Sequence, residues 1–497
     1  MNVFFFFIGV PTPIFETELE LIRNHDKSGD KVYVLQCQGN LETCHWNFTY
    51  SKNKCAECRS RFKNGWSALN PSENIELKKF PPMRKLSFED VPQNFDSVEE
   101  LKSYRYDGEK IGYGIASSLI SRFRDHRFDT NVYCQDILKT LRSSVHVYET
   151  LKNEFRENKP DRLYVFNGRI ANHLPAILLC KRMDIEYYTY EVPPSLNRYL
   201  LQKNATIHDP YAVHEQMEQL WLAEESDREK IAKSWFEQQR AGAKNNSIIS
   251  YTQHQKKDLL PDGFDPEKKN IAIFNGTIDE YAAIDSYDNP IYSPDETAGI
   301  GRILEDFQHD NRYMFYLRVH PHMKKISRSR NSQLRDIDLL ASRFSNLCVI
   351  WPAEIIDSYA LLDSCEKVIT FGSTMGVEAA YWGKPSILAG GQSLYKYLGC
   401  VYLPKSHEEV VKLLKQENLP PLPTELALKY GYRQLSLCSG NPFKYFKKTG
   451  RNSGTFDGIA IQPDVIPWVW FKVTQFFRRV KIAISNPRLL RSMLTDK

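Results

Sequence analysis

Three groups of residues in this chain combine side-chain types that could do chemistry. The first is Gly372, Ser373 and Thr374, with Glu378 four positions after Thr374. A β-branched run, 368–370, leads into them, and a compact helical stretch, 376–382, leads out and is stopped by Gly383 and Pro385. A strand, a small-residue turn and a helix leave free backbone N–H groups and the positive end of a helix dipole above the turn, which suits an anion. Ser373 and Thr374 add hydroxyl donors. Glu378 falls one turn into the helix on the side of Thr374, where a carboxylate can accept from sugar hydroxyls. On the residues alone, the alternative is an ordinary turn with a serine cap. The second group is Arg318, His320 and Pro321, at the end of the apolar run 313–319. It offers a guanidinium and an imidazole to a phosphate. The third group is Asn167, Arg169, His173 and Glu191, at the ends of two neighbouring expected strands, 162–166 and 185–190. Glu191 is the first candidate for a general base and His173 the second. Taken singly, each of the four is a solvated loop residue or a cap; their grouping at strand ends is what singles them out.

The spacing Cys37-x6-Cys44-x10-Cys55-x2-Cys58 is a fourth motif. Four thiols within one short segment, two of them as C-x-x-C, are a candidate structural zinc site, although the first spacing is looser than in common zinc ribbons. The alternative is that Cys37 belongs to the core and the others are loop thiols.

The elements that must position these residues alternate in type. Residues 2–10 and 31–36 read as strands, with a helix over 15–26 whose Phe15, Leu19 and Ile22 recur at helical spacing. This β-loop-α-β start opens a doubly wound sheet. Residues 60–130 are polar, with helical pieces at 97–104 and 111–123. A long helix over 136–158, the strand 162–166, a helix over 171–182 and the strand 185–190 continue the pattern. His208 and Asp209 precede an amphipathic helix over 211–240, with Asp209 as its cap and His208 a weaker functional candidate. The polar stretch 242–268 holds a domain boundary. Residues 270–274 then begin a second sheet, ending in Asn275, Gly276 and Thr277, with Asp279 and Glu280 just beyond. A helix over 297–309, strands over 313–319 and 347–351 and a helix over 357–365 follow. The expected domains are 1–255, 256–440 and a helical tail, 441–497.

The length of 497 residues fits two domains, and 42% hydrophobic content is ample for their cores. The net charge of +5 is mild and the basic residues are scattered, so nucleic acid is not an expected partner. No apolar run is long enough to span a membrane. The apolar start, 1–8, lacks a basic segment and a cleavage site and reads as a buried strand. Ten cysteines without a secretion signal point to reduced thiols in a cytoplasm. The stretch 466–481 mixes aromatic with basic residues; it either lies on an anionic membrane surface or forms a helix packed on the first domain.

The pattern Gly372, Ser373, Thr374, Gly376, Glu378, Ala379, Gly383, Lys384, Pro385 resembles the nucleotide-sugar-binding turn of GT-B glycosyltransferases, in the form seen in bacterial capsular and surface polysaccharide biosynthesis proteins. His320-Pro321 resembles the His-Pro motif of capsule-type transferases, including those using CMP-activated acidic sugars. Sequences of this kind also carry Cys clusters after the second strand. The resemblance implies an α/β GT-B-like fold, with two Rossmann-like domains facing a cleft. It further implies transfer of a hexosyl or acidic sugar from a nucleotide-activated donor to a glycan or lipid-linked acceptor. Asn275, Gly276, Thr277, Arg318, His320, Gly372, Ser373, Thr374 and Glu378 would hold the donor. No DxD stands at a strand end; Asp336 and Asp338 lie in a polar helical stretch, so a metal-independent reaction is expected. A sugar-nucleotide epimerase of the same fold, a phosphotransferase acting on CDP-alcohols and a non-catalytic component of a polysaccharide assembly complex are the alternatives.

Overall fold

The computed structural model describes residues 1–83, 92–193, 198–223, 226–243, 250–287, 289–436, 440–450 and 453–464, together with Val473. The first lobe is built on strands β1 (Asn2–Phe7), β2 (Lys31–Gln36), β3 (Ile75–Lys79), β4 (Arg162–Phe166), β5 (Glu186–Glu191) and β6 (Arg198–Lys203). The second is built on β7 (Lys269–Phe274), β8 (Tyr313–Arg318), β9 (Leu347–Ile350), β10 (Lys367–Thr370) and β11 (Ser386–Leu388). Their spatial orders are β6-β5-β4-β1-β2-β3 and β11-β10-β7-β8-β9. The second sheet is parallel throughout, and so is the first apart from the antiparallel edge strand β6. This is a two-domain GT-B-like architecture of doubly wound sheets.

Strands covered on both faces must be apolar at every position. In β1, Val3, Phe5 and Phe7 enter one core while Phe4 and Phe6 enter another on the opposite face. In β7, Ile271 and Ile273 divide from Ala272 and Phe274 in the same way.

Several expectations need correction. The helix expected over 211–240 is two, Pro210–Ala223 and Arg228–Arg240. Asp227 between them takes a left-handed φ of 60°, which ends a helical run. Both pack on the second lobe: Val213, Met217, Trp235 and Phe236 share a core with Val377 and Leu388. The expected boundary near 255 therefore falls after two helices that belong, by packing, to the other lobe. The tail expected to be helical runs as strands over its described part: β12 (Asn441–Pro442), β13 (Phe446–Gly450), β14 (Ser453–Phe456) and β15 (Ile459–Ala460). β12 joins the first sheet beside β6. Phe446, Phe456 and Ile461 pack with Phe15 and Phe62 of the first lobe. The carboxylate of Glu20 accepts from Lys444 N–H at 2.7 Å and Tyr445 N–H at 3.0 Å, fixing the return. Apart from Val473, the segment 466–481 lies outside the described residues. Among those described, no helix is long and apolar enough to cross a membrane.

The carboxyl edges of the two sheets face each other across a polar seam. Arg124 Nε lies 2.9 Å from an Asp279 carboxylate oxygen, and the Tyr287 hydroxyl donates to the His208 carbonyl at 2.6 Å. Asp295 caps its own helix and at the same time joins the lobes. One oxygen caps the helix Glu296–Phe307 by accepting from Thr297 N–H at 2.9 Å, and the other pairs with His126 Nε2 at 2.9 Å. Burial alone would raise the Asp295 pKa, but the hydrogen bond and charge of His126, with Arg127, outweigh it and hold the carboxyl below its ordinary value. A depressed carboxylate contributes its stability above the unfolded-state pKa of about 3.9 and loses it as pH falls through the lower folded value. Asp295→Ala should therefore cost about 1–3 kcal/mol in urea unfolding at pH 7, and the deficit should shrink below about pH 4.

Candidate active site

In an open parallel sheet the crevice lies where neighbouring strands send their outgoing chains in opposite directions. In the second sheet this point is β7 beside β10, since β7 leads on to β8 and β10 to β11. A cavity of about 240 Å³ opens there, and Asn275, Arg318, His320, Ser373, Thr374 and Glu378 all line it. Two larger cavities, of about 560 and 920 Å³, lie on the first lobe away from this point. The smaller one is the functional candidate because it collects the sequence-selected residues at the switch point. Gly276 and Thr277 do not line it: the Gly276 carbonyl accepts from Gln333 at 3.0 Å, and Thr277 is buried. Gly372 shapes the corner through a φ of +132°, where an added Cβ would stand 2.7 Å from the Gln392 carbonyl oxygen.

The backbone N–H of His320 donates to Asn275 Oδ1 at 3.1 Å, which joins the outgoing turns of β7 and β8. His320 Nδ1 accepts from His322 N–H at 3.2 Å, which leaves Nε2 to carry the proton. Burial, aided by His322 and Arg318, lowers the His320 pKa to about 4, so the free imidazole is a neutral donor at pH 7. The helix after the turn, Met375–Tyr381, has only seven residues. The corner's donors are therefore local: turn amides and the hydroxyl of Ser373, since the Thr374 hydroxyl bonds Glu378. The Tyr395 hydroxyl fixes it from behind by donating to the Ser373 carbonyl at 2.6 Å.

Two expected roles change. Arg318 is 2% exposed, and its guanidinium donates to the Trp351 and Glu354 carbonyls at 3.1 and 3.2 Å. Those carbonyls lie on the chain leaving β9, so Arg318 braces the cavity wall and does not project into it as a free cation. Glu378 is buried and receives a hydrogen bond from Tyr359. Burial raises its pKa to about 7, against the opposing bonds from Tyr359 and Thr374. Its carboxyl is thus bound to protein on one side where it lines the cavity.

On the first lobe, Asn167 Nδ2 donates to Glu191 Oε2 at 2.8 Å and lies 3.3 Å from His208 Nε2. The Val192 N–H donates to Glu191 Oε1 at 3.1 Å. Burial raises the Glu191 pKa, against Asn167, the Val192 amide and Arg169. Arg169 donates to Ser117 at 2.9 Å and is drawn electrostatically to Glu191, Glu280 and Asp279, so it links acids of both lobes. His208, lowered to about 3 by burial with Arg169 adding to the effect, stands beside them as a neutral imidazole. His173 does not join this group. It is buried with its ring edge-on to Phe6 and Phe166, both at 5.8 Å, and burial with His45 lowers its pKa to about 3. It packs as core.

Sequence reasoning missed Tyr251, whose ring stands 5.0 Å from that of His320, and Tyr359. Tyr251 lies in a polar linker with no motif, and Tyr359 reads as one more apolar helix position. The four cysteines do line one cavity, the one of about 560 Å³.

No protein-family model matches the chain, and no curated protein matches it. Among solved structures, it is similar to the UDP-GlcNAc 2-epimerase from Neisseria meningitidis bound to UDP-GlcNAc, at 12% identity over 87% of this chain and 98% of that one, with a TM-score of 0.29. Similarity to the Thermosulfurimonas dismutans KpsC, a beta Kdo 2,4 transferase, is at 14% identity over 55% of this chain and 79% of that one, with a TM-score of 0.32. The glycosyltransferase SnogD from Streptomyces nogalater matches at 14% identity over 88% and 95%, with a TM-score of 0.23. At such scores these neighbours carry no argument about chemistry, which rests on the site itself.

The two basic residues of the His-Pro segment should separate in experiment. His320→Ala should weaken binding of a nucleoside diphosphate about ten-fold by isothermal titration, for the loss of one donor to a charged group. Arg318→Ala should instead lower stability by about 1–3 kcal/mol through its orphaned carbonyls.

Proposed function

We propose that this chain is a glycosyltransferase that moves a sugar from a nucleotide-activated donor to a glycan or lipid-linked acceptor in bacterial surface-polysaccharide assembly. The observation that carries the reading is a juxtaposition. Uncharged donors converge at the β7/β10 crevice, and across the seam a half-buried carboxylate, Glu191, stands at the end of β5. Transfer needs the leaving phosphate stabilised and the acceptor hydroxyl deprotonated. His320, Ser373 and the turn amides serve the first need, with the Thr374 hydroxyl bonded to Glu378 beside them; they supply phosphate donors without calling on a metal. A cavity of about 240 Å³ suits the nucleotide end of the donor and leaves the sugar in the seam between the lobes. Glu191 serves the second need, with Asn167 orienting it and Arg169 keeping it ionisable. Bond formation at the anomeric carbon and departure of the nucleotide phosphate then occur between the lobes. A cytoplasmic placement, with the aromatic and basic stretch 466–481 on the membrane surface, belongs to the same proposal.

A second reading has its own observation. Asp279 is buried at the exit of β7, its pKa raised by burial and Glu280 against the pull of Arg124, and it faces the same seam as Glu191. Carboxylates on both lobes are what a sugar-nucleotide epimerase would use.

Glu191→Gln should lower turnover about 10²–10⁴-fold and leave nucleotide affinity within about three-fold. The acid limb of kcat/KM should lie above the ordinary glutamate value of about 4.3, with activity lost as pH falls through the raised pKa. Turnover that survives the substitution would sink the role of Glu191, and nucleotide affinity without any turnover in the parent protein would indicate a binding component. Incubating the protein with UDP-GlcNAc in deuterated water, without acceptor, separates the enzymes: solvent deuterium at C2 by NMR would favour the epimerase.

A further inference from the structure

Cys37 ends the chain leaving β2, Cys44 follows on the same connection, and Cys55 and Cys58 lie one turn apart on the helix Lys52–Leu69. Residues 37–51 carry neither helix nor strand, so little regular hydrogen bonding holds them. All four thiols open on one cavity. They are half-buried, whereas Cys180, Cys365 and Cys400 are buried in cores.

Two observations separate these thiols from packing residues. The first is placement: two thiols from the connection after β2 and two from the helix Lys52–Leu69 line one cavity together, and thiolates gathered there would repel one another unless a cation lay among them. The second is that donors point at the sulfurs. The Gly39 N–H donates to Cys37 Sγ at 3.4 Å, and the Asn40 N–H joins it. The Trp46 N–H is directed at Cys44, and Asn47 Nδ2 donates to Cys55 Sγ at 3.2 Å. A neutral thiol is a weak acceptor and needs no such set. A metal-bound thiolate is oriented and stabilised by it. Among the described residues, no three His, Cys, Asp or Glu side chains already stand in metal-holding geometry. The thiols share a cavity without yet sharing a centre, and binding would draw them in.

We propose that Cys37, Cys44, Cys55 and Cys58 bind one zinc ion as four thiolates, and that the ion pins residues 37–51 to the first lobe. Four S–H protons leave to solvent as four Zn–S bonds form, with no change of oxidation state. Soft thiolates select zinc over oxygen-seeking cations. The pinned segment already reaches the face near Glu191: the Thr43 N–H donates to Ser143 Oγ at 3.0 Å, and the His45 N–H to Asn172 Oδ1 at 3.0 Å. The inference stands apart from the transferase reading, because its readout is the metal and not turnover.

The test is elemental analysis of the purified full-length protein after gel filtration. About one zinc per chain is expected, and exchange for cobalt should give thiolate-to-cobalt charge-transfer absorption. Cys55→Ser with Cys58→Ser should lose the metal, and Cys348→Ser should keep it. If the double variant fails to fold, mercurial titration of the parent protein replaces it, and zinc should be released as the four thiols react. Zinc-free protein with four freely reacting thiols, iron with acid-labile sulfide, or a disulfide within the set would each overturn the proposal.

Discussion

Phe274 of β7 pairs in register with Thr370 of β10 on one side and Arg318 of β8 on the other, and the chain leaves β7 and β10 in opposite directions. That divergence is a consequence of strand order, and no side chain is needed to make the crevice. What the sequence must supply is a corner that keeps the crevice open. Gly372 accepts a φ that other residues resist, and at Gly376 an added Cβ would stand 2.2 Å from the Tyr395 hydroxyl that buttresses the turn. Small residues here keep the turn compact at the place where the topology leaves room for a ligand.

Burial then decides the charge state of each group around that room. An imidazole loses its proton when desolvated, and a carboxyl gains one. His320, at about 4, is a neutral donor, and Glu378, at about 7, is poised between its two states. The second-lobe side thus offers hydrogen bonds without a dense fixed positive charge. Arg318, whose guanidinium lines the cavity, is committed to the carbonyls at 351 and 354. Across the seam the balance differs: Arg169 offsets part of the desolvation of Glu191, so this carboxyl keeps a partner for its ionised form. The two sides have different electrostatics because one braces its arginine with backbone and the other sets it against acids.

Much of this arrangement was legible in the sequence where a single signal dominated. β2 and β4 fall on the expected residues because short β-branched and aromatic runs bounded by polar turns have little alternative. The grouping of His320 with Ser373 and Thr374 followed from the resemblance of their two motifs together with the order of the strand ends. The failures are also physical. β3 and β6 alternate or mix polar residues at a sheet margin and carry no continuous apolar run. The helix Lys52–Leu69 has few apolar positions, since it contributes only part of one face to the core. Arg318 and His173 were misjudged because a strand end fixes which edge of the sheet a residue occupies and leaves open whether its side chain turns toward solvent or carbonyls and rings.

The two lobes share a topology, yet they use their switch points differently. In the first sheet the corresponding position lies between β4 and β1. Trp46 covers it: its ring lies so close over Gly9 that a Cβ there would sit 1.9 Å from the indole, and it stands 5.9 Å from Phe166. The cavity of about 560 Å³ opens beside that indole, with Gly9, Val10 and Trp46 in its lining, while Glu191 lies on β5, one strand beyond β4. Trp46 sits on an irregular connection whose ordering costs conformational entropy over more than a dozen residues. Bonds to Ser143 and Asn172, the Arg142–Glu42 pair and the Asn40 bond to the Phe80 carbonyl restrain that segment. The same segment carries two of the four clustered cysteines and faces the helix that carries the others. A metal-thiolate clasp at this point would add a restraint of its own and hold the indole over Gly9.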